Sequence, residues 1–395
     1  MRRTHLVSAT VIITFVIVLA ASVPSRTQSV FVPLPTTVAA PADNPTTAEK
    51  VVLGRLLFWD PLLSGQKDVS CATCHHPDFG YAENLDLSIG ANGVGLGAER
   101  TFAPGSPVRP VKRNSQTVLN SAFNGIDNAG HHTPAEAPMF WDVRVKSLEA
   151  QALEPMRALE EMRGDAYSAE SAISTVVSRL AANGEYRRLF AQAFGNKNAV
   201  NAQNLGRALA AFERSLVTTN APFDHYMRGD TTAMTAQQIQ GMNRFQSIGC
   251  ANCHSGPMFS DFKVHVLGVP DNEKLPTSDA GVDNTYAFRT PSLRNLSYTA
   301  PYMHSGVFTS LNQVVNFYNR VNRGGGRGGG GRRGGGNEAV NTNVSRDQLD
   351  PLLRQLNLRG GRQADLLAFL DALNDPGFDR TIPATVPSGL AVGGR

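Results

Sequence analysis

The chain has 395 residues, 41% of them hydrophobic, and a formal net charge of +4. That length suggests two domains, and the apolar fraction is ordinary for a chain that builds real cores, which excludes a wholly disordered or fibrous protein. The charge is slight and sits partly in the first residues and in one basic loop, so it argues for no nucleic-acid partner.

In chain order, Arg2 and Arg3 precede an apolar run from Val11 to Ala21, followed by small residues, the layout of a secretory signal peptide over residues 1–22. The run is short for a membrane span, so cleavage is the first reading and an uncleaved anchor the second. Residues 23–45, rich in Pro, Thr, Ser and Ala, read as an extended or disordered leader. Thr46 or Thr47 then caps a helix carrying Val51, Leu53, Leu56 and Leu57, which ends at Asp60-Pro61 because proline disfavours helix in the residue before it.

Next comes Cys71-Ala72-Thr73-Cys74-His75, and far downstream its echo Cys250-Ala251-Asn252-Cys253-His254. Each is C-x-x-C-H, the attachment signature of a c-type haem. Two thiols at that spacing can add to the two vinyl groups on one porphyrin edge, and the following imidazole falls beneath the iron. The two motifs use all four cysteines of the chain. A zinc knuckle would want the four thiolates together, yet the pairs fall in opposite halves, and a thioredoxin-like dithiol is the other rival. The expectation is two covalently bound haems, attached outside the cytoplasm and hence in the periplasm, with Cys71, Cys74, Cys250 and Cys253 as anchors and His75 and His254 as iron ligands.

The stretch from Gly90 to Asn114 is loopy. Helical spacing returns over Ala169–Ala182 and Ala202–Val217, where Leu205, Leu209, Phe212 and Leu216 form a core stripe. Thr218–Gly229 reads as a hinge between an N-terminal domain, 46–220, and a C-terminal one, 221–380. Thr235 caps a helix running into Cys250, repeating the helix-then-motif order of the first half, so the halves look like a weak duplication. Residues 323–336 hold ten glycines and four arginines, a flexible loop on composition, since glycine loses most backbone entropy on ordering. Two helices, Leu349–Leu358 and Arg362–Leu373, and a Pro/Gly tail, 381–395, close the chain. The fold class is therefore mostly α: two cytochrome-c-like haem domains packed together.

The text around the motifs is similar to the bacterial dihaem cytochrome c peroxidase and MauG family. The resemblance rests on Leu56–Ser64, Asn114–Asn120, Phe140–Arg144, Ala211–Arg214 and Thr290–Asn295, in order, over most of the chain. It implies that Trp141 lies between the haems and carries electrons, that Gln151 belongs to the peroxide pocket, and that Glu161 is the catalytic acid–base. It also implies one Ca²⁺ held by the Asn114 side chain and the carbonyls of Thr299 and Pro301, hard oxygen donors that suit this ion.

Two departures stand out. Where these peroxidases often carry a removable distal histidine after Ser-Ile-Gly, this chain has Ser88-Ile89-Gly90-Ala91, followed by an insertion without histidine. Haem 1 is thus expected open, with His131 and His132 in a second insertion as rival ligands. Where the family's haem 2 takes a distal methionine, seventeen residues after Pro301, Tyr318 stands, with Met303 and Met258 as rivals. Tyrosinate is a hard anion favouring ferric and higher states. The resemblance implies a periplasmic peroxidase reducing hydrogen peroxide at haem 1, with electrons from a small cytochrome c or cupredoxin relayed through haem 2. The alternative, favoured by Ala91 and Tyr318, is a MauG-like enzyme that uses a high-valent dihaem state to oxidise residues of a partner protein. A non-catalytic electron carrier is the third reading, and a homodimer is left open.

Overall fold

The computed structural model describes residues 30–322, 340–358 and 363–394; the expected signal peptide and the Gly/Arg segment lie outside them. The main helices are α1 (Ala48–Trp59), α2 (Ala172–Ala182), α3 (Gly184–Phe194), α4 (Ala202–Ser215), α5 (Pro222–Met227), α6 (Ala236–Ser247), α7 (Leu311–Asn322) and α8 (Gln363–Asp371). Strand is confined, among the described residues, to three two-stranded antiparallel ribbons: β1/β2 (Gly93–Val94, Thr101–Phe102), β3/β4 (Pro138–Met139, Val145–Lys146) and β5/β6 (Val264–Val266, Ala287–Arg289). The fold is mostly α, as expected.

Each half is built on one helix crossing. The Thr47 side chain caps α1 by accepting from Lys50 N, a contact worth about 1 kcal/mol, and α1 stops at Asp60 before Pro61. α1 then lies against α4 so closely that a Cβ on Gly54 would stand 2.0 Å from the Ala208 carbonyl oxygen. In the second half Thr235 and Gln238 form a capping box for α6, which crosses α8 at Gly241, where a Cβ would meet the Asp365 oxygen at 1.9 Å. The helix that precedes each C-x-x-C-H motif thus carries a glycine at its crossing point. Around these crossings lie two apolar cores, one with Leu53, Phe58, Leu209 and Phe212, the other with Phe223, Phe245, Phe259 and Phe369.

Several stretches differ from expectation. Of the expected extended or disordered leader, residues 30–44 are irregular but anchored: Phe31 is buried among Phe245, Phe259 and Phe369 of the second core, and Leu34 N donates to Asp224 Oδ1 at 2.9 Å. The tail is packed too. Phe378, Val386 and Val392 join the first core, and Ser388 Oγ donates to Asp60 Oδ1 at 2.7 Å. Each terminus therefore closes the core of the other half, crossing the expected limits at 46, 220 and 380 in both directions. The expected hinge is a rigid crossing as well. Thr218 Oγ1 accepts from Asn120 at 2.5 Å and from Asn295 at 2.8 Å, and Asp224 in α5 forms a buried two-pronged ion pair with Arg294. Removing one partner of such a pair costs about 3–5 kcal/mol. The expected helix over 349–358 is a 3-10 turn, Pro351–Gln355, started by the Asp350 cap and Pro351.

Candidate active site

The two C-x-x-C-H motifs fold alike. Cys71–Cys74 is a single helical turn and Cys250–Asn252 a 3-10 turn, and in both the histidine N–H returns to the first cysteine carbonyl, at 3.0 Å for His75 and 2.9 Å for His254. Each imidazole is oriented through Nδ1. His75 Nδ1 faces the Tyr81 carbonyl at 3.1 Å, with Ser115 Oγ at 3.3 Å, and His254 Nδ1 faces the Phe259 carbonyl at 2.8 Å. Tying one nitrogen this way fixes the tautomer and leaves Nε2 for a metal. All four cysteines are free of disulfides, and burial pushes the Cys71 and Cys250 thiols up to about 12. Raised thiols of this kind are mostly protonated near neutral pH. Among the described residues the four do not converge on a shared metal position.

Both motifs open onto one cavity of about 1220 Å³, above the roughly 300–1,000 Å³ of a usual single-ligand pocket. Its lining includes Trp141, Gln151, Glu161, Tyr318 and Arg289. Arg289 is buried without a carboxylate partner among the described residues, and burial lowers its guanidinium to about 10. It donates instead to the Phe140 carbonyl at 2.9 Å and to Gln116 at 3.3 Å. A buried lone cation calls for an anion. Two flat, apolar macrocycles bearing carboxylates fit this cavity, its cysteine pairs, its two oriented imidazoles and its spare guanidinium.

Trp141 sits where the two halves meet. Its Nε1 donates to the Asn114 carbonyl at 3.0 Å, its own carbonyl accepts from Arg289 N at 2.7 Å, and its ring stands edge-on to His304 at 6.4 Å. His304 in turn stacks on Phe288 at 3.6 Å, and burial lowers it to about 3, so it is a neutral aromatic.

Gln151 ends a short turn, Leu148–Gln151, capped by Ser147. Glu161 lies in a π-helical turn, Leu159–Arg163, whose Arg163 and Gly164 amides reach back five residues to Ala158 and Leu159. Such turns recur at functional sites. Burial raises the Glu161 carboxyl to about 7, against the opposing pull of Arg144. Glu161 and Glu213 are both close enough to raise Cys71 electrostatically, which sets them at the first motif. Glu213 is buried in α4 with Oε2 unpartnered, and burial pushes it to about 8. It was quoted only as part of a family stretch in the sequence reading; a lone acid at the buried end of an apolar stripe was the available signal.

Other expectations separate. Ala91 is buried and brings no ligand. His131 is exposed beside Asp127, and His132 Nε2 is 3.0 Å from the Asn124 carbonyl; neither borders the cavity. Tyr318, Met258 and Met303 all border it. Burial, with Cys250 and Cys253 nearby, pushes the Tyr318 hydroxyl well above the usual phenol range. His265, unremarked in the sequence, has Nδ1 2.6 Å from Asp350 and Nε2 3.0 Å from Asp261, and hydrogen bonding, to Asp261 first, then to Cys253 and Asp350, raises it to about 11. Asn114, Thr299 and Pro301 border the cavity together, with a cis bond at Ala300–Pro301. Asn114 Nδ2 donates to the Leu85 carbonyl at 2.8 Å.

Comparison with known proteins gives one family. A model described as di-haem cytochrome c peroxidase matches residues 48–232. The cytochrome-c peroxidase IdrP1 of Pseudomonas sp. (strain SCT) is 33% identical, over 87% of this chain and 85% of that protein. The methylamine utilization protein MauG of Methylorubrum extorquens is also 33% identical, over 88% and 85%. Among solved structures, a MauG-like protein associated with microbial copper homeostasis superposes with a TM-score of 0.66 at 27% identity, covering 87% of this chain and 95% of that one.

Proposed function

Because this chain belongs to the di-haem cytochrome c peroxidase family, oxidoreductases with two haems, we propose that it reduces hydrogen peroxide at a haem anchored by Cys71 and Cys74, with electrons relayed from a second haem at Cys250 and Cys253 through Trp141. The observation that carries this reading is Glu161: a half-buried carboxyl that desolvation raises to about 7, facing the cavity beside the first attachment turn, with no imidazole at position 91. Haem iron supplies the electron-transfer chemistry that opens the peroxide bond.

The protein's own part is in the protons. Near neutral pH Glu161 is divided between its two forms, so it can take a proton from the incoming peroxide and return it to the departing oxygen. Gln151 borders the same cavity and offers an amide to orient the peroxide. His75 and His254 would ligate the two irons through Nε2, their Nδ1 atoms being fixed by backbone carbonyls. Trp141, held by Asn114 on one side and Arg289 on the other, offers an oxidisable indole between the two halves. Asn114, Thr299 and Pro301 are proposed to share one Ca²⁺ near that junction. The chain is proposed to be exported and to work in the periplasm with a small electron-donor protein.

Tyr318 supports a second reading. A half-buried phenol near Cys250 and Cys253 could offer haem 2 a hard anionic oxygen, because a ferric ion would oppose the desolvation that favours the protonated phenol. Such a haem is a poor source of reducing electrons and suits removal of electrons from a partner protein instead. The test is to add peroxide to the ferric holoenzyme with and without a reduced small cytochrome c. Fast, repeated oxidation of the cytochrome supports the peroxidase; a long-lived oxidised state that ignores the cytochrome supports the second reading; no reaction with peroxide contradicts both.

A further inference from the structure

The insertion that follows Ala91 folds back on the loop that precedes it. Its β1/β2 ribbon pairs Gly93 with Phe102 and Val94 with Thr101, and at the ribbon's base lies Arg100, only 4% exposed. The Arg100 guanidinium is directed at main-chain carbonyls. Nη2 donates to Gly90 at 2.7 Å, Nη1 to Gly95 at 2.9 Å, and Nε to Ile89. Neighbouring amides are fixed as well: Ile89 N by Glu83 Oε1 at 3.2 Å and Asn92 N by Asp68 Oδ2 at 2.8 Å. The loop from Ser88 to Asn92 is thereby held along its length.

That loop is the seat of the catalytic turn. A Cβ on Gly90 would lie 2.1 Å from the Glu161 carbonyl oxygen and 2.3 Å from that of Glu160, so the two backbones touch with no room for a side chain. From the other side Gly65 N donates to the Met162 carbonyl at 2.8 Å. The π-helical turn is gripped between Gly65 and Gly90, and Arg100 holds the Gly90 jaw.

We propose that Arg100 is a positioning residue for Glu161: its fork pins the Ile89–Gly90 carbonyls, and this keeps the peroxide-facing wall formed without movement of the 88–91 loop. The proposal rests on the acid–base reading of Glu161. A planar guanidinium presents five N–H donors in a fixed fork, which a lysine ammonium, a point donor on a flexible stem, does not reproduce. The groups that face Glu161 electrostatically are Arg144, Glu160 and Glu154, together with Cys71 and Cys74, which attachment would convert to uncharged thioethers.

The test follows the reaction of peroxide with the holoenzyme by stopped flow across about pH 5 to 9, for Arg100→Met, Arg100→Lys, Gly90→Ala and Glu161→Gln. Loosening the loop lets water reach Glu161. Arg100→Met is therefore expected to slow the reaction about tenfold to a hundredfold at neutral pH, the scale of a small misplacement. It should also move the midpoint of the pH profile down by about one unit toward ordinary carboxylates. Haem content and the haem 2 spectrum should stay as in the parent. Arg100→Lys should restore only part of the rate, and Gly90→Ala, which opens the same contact from the opposite side, should give the same displaced midpoint. A merely structural arginine would lower stability and leave the midpoint in place. Parental rate and midpoint in both Arg100→Met and Gly90→Ala, with Glu161→Gln slow, overturn the proposal alone. Parental kinetics in Glu161→Gln overturn the acid–base reading and this proposal with it. Should Arg100→Met fail to load haem, Gly90→Ala decides.

Discussion

At the first attachment turn the cavity is bordered by acids: Glu161 and Glu213 both reach Cys71 electrostatically, and both are lifted by burial toward neutral pH. At the second turn stand a phenol, Tyr318, and an imidazolium, His265, locked between Asp261 and Asp350. The anchors are alike in design, with the same cysteine spacing, the same return of the histidine amide and a downstream backbone carbonyl on Nδ1. The difference lies in the titratable groups set around each turn. A half that trades protons needs groups that titrate near neutral pH; a half that only passes electrons needs its charges fixed.

The sharpest way to break this contrast is Glu161→Gln. General acid–base groups contribute about 10²–10⁴-fold, so the reaction with peroxide should slow by at least about a hundredfold while both haems stay attached. If the base form of Glu161 takes the first proton, as proposed, the parent's rate should rise with pH through about 7, and the variant should lose that limb. Tyr318→Met should act on the other half alone. A soft thioether favours the ferrous ion, so the reduction potential of haem 2 should rise in a spectroelectrochemical titration while the first reaction with peroxide keeps its rate. An unchanged potential would take Tyr318 off the iron.

Glu213→Gln should give the smallest effect. The Glu213 carboxyl stands at about 8 in the fold against a usual 4.5. Below about pH 4 it is protonated in both folded and unfolded chains and contributes no penalty. As pH rises the unfolded chain ionises first, so stability is lost progressively until the folded carboxyl ionises near pH 8. The variant should therefore melt a few degrees higher than the parent near pH 8 and at the same temperature near pH 4.

The comparison also shows what sequence could deliver. The anchors were legible because C-x-x-C-H needs only local spacing, and α1 and α6 because Thr47 and Thr235 announce their starts. Glu161, Gln151 and Trp141 were reachable through family resemblance, and the structure brings all three to one cavity. The π-helical turn that carries Glu161 was not legible, since its widened register depends on Gly65 and Gly90 pressing from distant parts of the chain. The same holds for the termini. Residues 30–44, by composition an extended or disordered leader, and the Pro/Gly tail carry no local sign of their packing, yet Phe31 and Val392 are held by partners in the opposite half. α7 was missed although it presents Phe317 and Val321 to the core. The sequence reading took its Tyr318 as an isolated matched position. Pairings of this kind, His265 with Asp350 among them, span sequence distances over which no local pattern speaks.

The claim at the centre is that the two irons differ on their distal sides, one open toward Glu161 and one bound by Tyr318. Low-temperature electron paramagnetic resonance of the resting ferric holoenzyme, paired with its near-infrared absorption, reads both sides at once. One high-spin and one low-spin ferric signal are expected, with no methionine-to-iron charge-transfer band. Two low-spin signals, or a methionine band, would contradict it.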